Sequence, residues 1–217
     1  MKWLGVDLGG TWLRMQDAEP ISVQGMTPER LMQTLADQAH RLGCTGVAIS
    51  FAGWLQAGGQ GVEAGPNLGW GSVNLSALAR QHGVLCHLEN DVDARAWGEW
   101  INLDRADRDR GDLLVINAGT GFALGLVVAG QLRRGAHGRA GEVGHLRPGL
   151  EGRCGCGALG CVETVLGGAH RDPDSFDVDH ARASWVDAAT RVLAPVVCAL
   201  DPGVVIATGG ILDHRVD

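Results

Sequence analysis

The sequence predicts an α/β protein of two related lobes, the second carrying a loop suited to hold a metal ion. Three observations support that expectation. A strand, glycine turn, strand pattern occurs twice, first over residues 2–16 through Gly9-Gly10-Thr11, then over residues 113–128 through Gly119-Thr120-Gly121. Between and after these hairpins, apolar strand-like runs alternate with segments of helical period, as α/β proteins require. His145, Cys154, Cys156 and Cys161 fall in one glycine-rich stretch.

The chain has 217 residues, enough for one large domain or two small lobes with a sizeable core. It is 45% hydrophobic and 20% charged with 34 glycines, a globular composition rich in turns. The net charge of −7 gives nucleic-acid binding no electrostatic support. No apolar run reads as long enough to span a bilayer, so no membrane role is expected. Residues 2–7 already read as a strand, which leaves no room for a signal peptide before them. Three of the six cysteines have a metal-like spacing, so a reducing cytoplasm is expected rather than disulfides. Cys44, Cys86 and Cys198 lie among apolar residues and are expected to fill the core.

Taken in order, residues 2–7 and 12–16 form the first hairpin. Its Gly-Gly-Thr turn can aim backbone N–H groups at an anion. Residues 28–42 are a helix, with Leu31, Leu35 and Leu42 near helical spacing, Thr27 as cap and Pro28 at the first position. Residues 45–51 are a buried strand. Residues 54–72 are glycine-rich and alternate too weakly to assign. A short helix spans 75–81, and a strand over 84–88 brings Glu89-Asn90-Asp91 to its carboxyl end, where ligands of α/β sheets gather. Asp91 then opens a helix over 92–100, as its N-cap or as a general base. The charged run 105–110 reads as a solvated connector and the boundary between lobes 1–104 and 105–217. The second hairpin follows, then a loop over 135–141 in which His137 reads as a surface residue. A helix over 181–200 is kinked or divided by Pro195. A strand over 204–207 runs into Thr208-Gly209-Gly210.

In the loop between, three thiolates and an imidazole make a complete tetrahedral shell for zinc. Glycines let the backbone turn tightly enough for the sulfurs to converge. Glu142 and Glu163 bracket the cluster and could present carboxylates to a polar ligand.

The pattern Glu142-x-Gly144-His145 followed by Cys154-x-Cys156-Gly157-x-x-Gly160-Cys161-x-Glu163 resembles the ROK family of repressors, open reading frames and sugar kinases. Asp7-x-Gly9-Gly10-Thr11 likewise resembles the first phosphate motif of actin-like sugar kinases. The resemblance implies an actin-like ATPase (ribonuclease H-like) fold and ATP-dependent phosphorylation of a hexose or N-acetylhexosamine, usually at the 6-hydroxyl. It implies Asp91 as catalytic base, and Asn67, Asn90, Asp91, Glu142, His145 and Glu163 as sugar ligands. For ATP and Mg2+ it implies Asp7, Gly9, Gly10, Thr11, Gly119, Thr120, Gly121, Gly209 and Gly210. A structural Zn2+ would sit on His145, Cys154, Cys156 and Cys161, and the chain would form a homodimer.

The sequence departs from that pattern in places. Trp12 stands where many members have Lys. Ala123 and Leu124 replace further glycines, and their Cβ atoms are expected to make the second phosphate turn the weaker one. Ile211 replaces a final glycine, and the segment between Glu163 and Asp201 is short. Weakened ATP binding is therefore expected. The rival readings are a sugar-binding module without kinase activity and a sugar-responsive regulator. The negative charge, and Met1 leading directly into the phosphate strand, disfavour the regulator.

Overall fold

Strand β1 (Trp3–Leu8) alternates strictly. Leu4, Val6 and Leu8 are buried, and Trp3, Gly5 and Asp7 face outward. A strand with this period has one face on a core. That core belongs to the first of two compact units, Met1–Ala94 and Arg95–Asp217. The structure is a computed structural model and describes residues 1–56, 58–65, 68–168 and 178–213.

In the first unit, β1 is followed by β2 (Trp12–Met15), β3 (Ile21–Ser22), helix α1 (Pro28–Arg41) and β4 (Gly46–Phe51). Then come the small hairpin β5 (Trp54–Leu55) and β6 (Val62–Ala64), helix α2 (Leu75–Gln81) and β7 (Leu85–Asn90). The main sheet has the order β3-β2-β1-β4-β7, antiparallel through the first three strands and parallel from β1 to β7. Helix α1 starts as expected: Thr27 Oγ1 accepts from the Arg30 amide at 3.2 Å and Pro28 opens the first turn. Its Leu31, Met32 and Leu35 are wholly buried in the same cluster as the inward face of β1.

Helix α3 (Asp91–Asn102) and the one-turn α4 (Arg105–Arg108) lead to β8 (Leu113–Ala118), β9 (Phe122–Val128) and β10 (Gln131–Leu132). After the cysteine loop come α5 (Glu163–Leu166), α6 (Val178–Leu200), β11 (Val204–Thr208) and α7 (Gly210–Asp213). The second sheet has the order β10-β9-β8-β11, again an antiparallel meander with a parallel strand beyond its first member. The repeat read from two glycine turns is therefore a repeat of topology.

Several expectations need correction. The units divide after Ala94, not at the charged run 105–110. Ala96, Trp100 and Leu103 of the α3 segment pack with Leu113, Val115 and Val127, and this non-local contact carries the rest of α3 into the second unit. The unassigned stretch 54–72 holds the β5–β6 hairpin. Helix α6 begins before residue 181 and runs unbroken through Pro195. Proline removes the bond to the Arg191 carbonyl, but both residues are exposed, so water can replace it. Ala183–Leu200 is long and apolar enough to cross a membrane by length and composition, contrary to the sequence expectation, although Asp187 and Arg191 pair within it at 2.7 Å. Cys44 is buried and Cys86 half-buried, but Cys198 is exposed on α6 and fills no core. Burial pushes the Cys86 thiol up to about 12, against a bond with Ser76 that lowers it.

Candidate functional site

The first glycine turn closes with the Gly9 amide donating to the Trp12 carbonyl at 3.1 Å. Asp7 lies in β1 directly opposite Arg14 of β2, and the two side chains meet at 3.4 Å, both largely exposed. The carboxylate thus stays open to solvent beside a turn of backbone amides. Arg14 is a neighbour that the motif did not reveal.

At the end of β7 the structure reassigns a role. Asn90, not Asp91, caps α3: its Oδ1 accepts from the Val92 and Asp93 amides at 3.0 and 3.1 Å. Asn90 Nδ2 donates to the Gly53 carbonyl at 3.4 Å. One amide hydrogen of Asn90 is then left for a ligand. Asp91 is the first residue of α3, partly buried and not needed as the cap. Asn67 lies outside the described residues.

In the second unit the Gly119-Thr120-Gly121 turn is held from two sides. The Gly168 amide donates to the Gly119 carbonyl at 2.8 Å, and the Phe122 amide donates to Glu163 Oε2 at 3.2 Å. A Cβ on Gly121 would lie 2.6 Å from that same oxygen. Ala123 and Leu124, expected in the turn, lie instead in the β8–β9 ladder opposite Asn117 and Ile116. Leu124 is a core residue at 2% exposure, so its Cβ points into packing and does not narrow the turn.

Glu163 also reaches the cysteine cluster, with Oε1 3.5 Å from Cys154 Sγ. The nitrogen or sulfur ligand atoms of His145, Cys154, Cys156 and Cys161 all lie within 4.8 Å of one another. His145 Nδ1 is 3.7 Å from Cys154 Sγ, and Cys156 Sγ is 3.7 Å from Cys161 Sγ. A tetrahedron with metal–sulfur bonds of about 2.3 Å has edges of about 3.8 Å, so these residues fit a zinc-sized ion. None of the six cysteines is in a disulfide. Burial pushes the Cys154 thiol up to about 12 and raises Cys161, whereas the Ala158 amide bonds to Cys156 and lowers it.

The other ring nitrogen, His145 Nε2, faces Glu142 Oε2 at 3.7 Å, within ion-pair reach but too long for a hydrogen bond. Burial raises the Glu142 carboxyl, with His145 opposing and Glu163 adding to the rise. His137 is exposed in the turn before this segment, as expected.

Gly141 sets the entry to the cluster. Its φ is +87°, and a Cβ there would overlap the Leu124 carbonyl oxygen. Gly141→Ala should destabilise the protein by about 1–3 kcal/mol, from the left-handed backbone and the overlap together. A chemical-denaturation midpoint equal to wild type would refute that role.

The chain matches the model described as ROK family over residues 4–170, more than half its length. The chain belongs to the ROK family. It is 31% identical over 179 residues to a glucokinase of Streptomyces coelicolor, covering 76% of this chain and 56% of that enzyme. It is 26% identical over 180 residues to a xylose repressor of Bacillus subtilis, covering 74% of this chain and 46% of that protein. The crystal structure of a ROK family glucokinase from Streptomyces griseus with glucose and AMPPNP superposes with a TM-score of 0.76 at 25% identity. That superposition covers 97% of this chain and 84% of the glucokinase. The chain thus spans about half the length of the curated relatives it matches. Membership fixes the α/β actin-like ATPase fold for this ROK chain, in line with its duplicated sheets.

Proposed function

We propose that this ROK chain phosphorylates a hexose or N-acetylhexosamine with ATP, at the 6-hydroxyl. The observation that carries the reading is the duplicated sheet, with a strand-linking glycine turn suited to phosphate in each unit. Its relatives include a glucokinase, and a structural neighbour holds glucose and AMPPNP.

In the first unit Asp91 takes the proton from the attacking sugar hydroxyl, and Asn90 donates its remaining amide hydrogen to a neighbouring hydroxyl. Asn67 is assigned to the sugar by motif. In the second unit Glu142 and Glu163 accept from sugar hydroxyls, since a carboxylate oxygen already holding one amide keeps a second lone pair. His145 holds metal through Nδ1 and leaves Nε2 toward Glu142 and the sugar. Gly9, Gly10, Thr11, Gly119, Thr120, Gly121, Gly209 and Gly210 take the nucleotide. Asp7, an exposed carboxylate, suits Mg2+, which keeps water ligands and offsets phosphate charge. The zinc on His145, Cys154, Cys156 and Cys161 is structural: it fixes the loop that carries the acids. Phosphoryl transfer leaves little covalent work to the protein, so positioning and electrostatics set the rate. A cytoplasmic homodimer acting on a small sugar, without nucleic acid or membrane, belongs to the same reading.

The alternative, a sugar-binding module without kinase activity, drew support from Ala123 and Leu124 and from the shortened second lobe. The place of the two residues in the β9 ladder weakens the first ground and leaves the second standing. An ATP-coupled assay across hexoses and N-acetylhexosamines tests the proposal. One or more sugars should be turned over with ADP release. Sugar binding without turnover of any of them would favour the binding module.

A further inference from the structure

Arg95 is used neither by the family pattern nor by the reaction above. It lies in α3, and its Nη1 donates to Thr208 Oγ1 at 2.8 Å across 113 positions of sequence. Thr208 is buried at the end of β11, immediately before Gly209-Gly210. β11 runs parallel to β8 with Thr208 opposite Asn117, so the carboxyl ends of the two strands lie side by side. Gly209, at φ +108°, passes so close to Ala118 that any Cβ would overlap the Ala118 backbone. The 119–121 turn and the Gly209-Gly210 pair that leads from β11 into α7 are therefore neighbours at one end of one sheet, and the guanidinium stands beside them.

Ligands of α/β sheets collect at the carboxyl ends of parallel strands. Glycine backbones there permit the close approach that phosphate oxygens need. The Thr208 hydroxyl is a neutral partner, so it orients the guanidinium without neutralising it. A planar guanidinium held by a neutral partner keeps donors and full charge for an oxyanion. The single lysine, Lys2, is engaged elsewhere, donating to the Leu42 carbonyl at 2.7 Å. Beside any Mg2+, the side-chain cation available to a phosphate chain at this end is therefore an arginine.

We propose that Arg95 binds the phosphate chain of the nucleotide, as a specificity-determining contact of this chain. The inference rests on the reading that the chain binds ATP. Calorimetric titration of the full chain with ATP and, separately, with adenosine tests it. Arg95→Ala should weaken ATP by about ten- to a hundredfold, the loss of a charged hydrogen bond, and leave adenosine unchanged. Arg95→Gln keeps a donor for Thr208 but removes the charge. It should lose ATP affinity to a similar degree while keeping the wild-type melting temperature, which guards against misfolding of the alanine variant. Equal weakening of ATP and adenosine would overturn the proposal and make Arg95 a tether that shapes the turn. Unchanged ATP affinity in both variants would overturn it outright while leaving the kinase reading standing. A wild-type chain that binds neither ligand would overturn the ATP reading itself, and the role of Arg95 with it.

Discussion

Asp91→Asn is expected to lower sugar turnover by about two to four orders of magnitude while sugar affinity stays near wild type. An amide cannot accept the proton of the attacking hydroxyl, and it is nearly isosteric with the carboxylate. The structure makes this test cleaner than the sequence allowed. Asn90 supplies the cap of α3 through two backbone amides, so the variant does not remove a cap and the helix should start unchanged. Circular dichroism and the thermal midpoint should therefore match wild type. The measurement is initial rate with saturating sugar and ATP, beside sugar affinity by calorimetry. A variant that retains more than about a tenth of the wild-type rate would remove Asp91 from the role of base. The companion change, Asn90→Ala, should cost about 1 kcal/mol of stability through the lost cap.

Cys156→Ala should abolish stoichiometric metal binding and weaken stability and sugar binding together. The four ligand atoms converge within 4.8 Å, in a loop whose backbone is closed by short turn bonds such as Cys154 to Ala158 and Gly160 to Gly152. Metal binding energy in such a loop is folding energy. Wild-type protein purified without added zinc should carry about one equivalent per chain. The variant should lose about 3 kcal/mol or more, a fall in midpoint of about 6–12 °C. Cys156 is itself exposed, so burial of its side chain contributes little and the loss reports on the metal. The consequence should reach beyond the loop. Glu163 touches Cys154 with one oxygen and the Phe122 amide with the other, so a loosened cluster disturbs the segment after the second glycine turn. Metal analysis that finds no zinc in wild type, with all three thiols freely titratable, would end the assignment.

The local features were legible in the sequence because their causes are local. Thr27 and Pro28 start α1 where a cap and a first-turn proline should. The paired glycine turns announced two related sheets, since a turn's chemistry is written in the residues that make it. The cysteine loop was equally plain, because ligand spacing within a short segment leaves few ways for the sulfurs to converge. Membership in the ROK family follows from those motifs and agrees with the match over residues 4–170.

What the tertiary structure decided concerns residues far apart in sequence, or strand ends displaced by a residue or two. β7 extends through Asn90, and that shift turned Asn90 into the cap and released Asp91 from it. β9 begins at Phe122, which drew Ala123 and Leu124 into a ladder and out of a phosphate turn. The unit boundary moved to Ala94 because Ala96 and Trp100 find their apolar partners on β8 and β9, a contact no composition shift marks. Arg95 falls within the helix expected over 92–100, and only the return of β11 beside β8 sets the Thr208 hydroxyl 2.8 Å from it. Turn and ligand chemistry is encoded within a few residues, whereas strand termini, packing partners and the neighbours of a charge depend on where the chain returns.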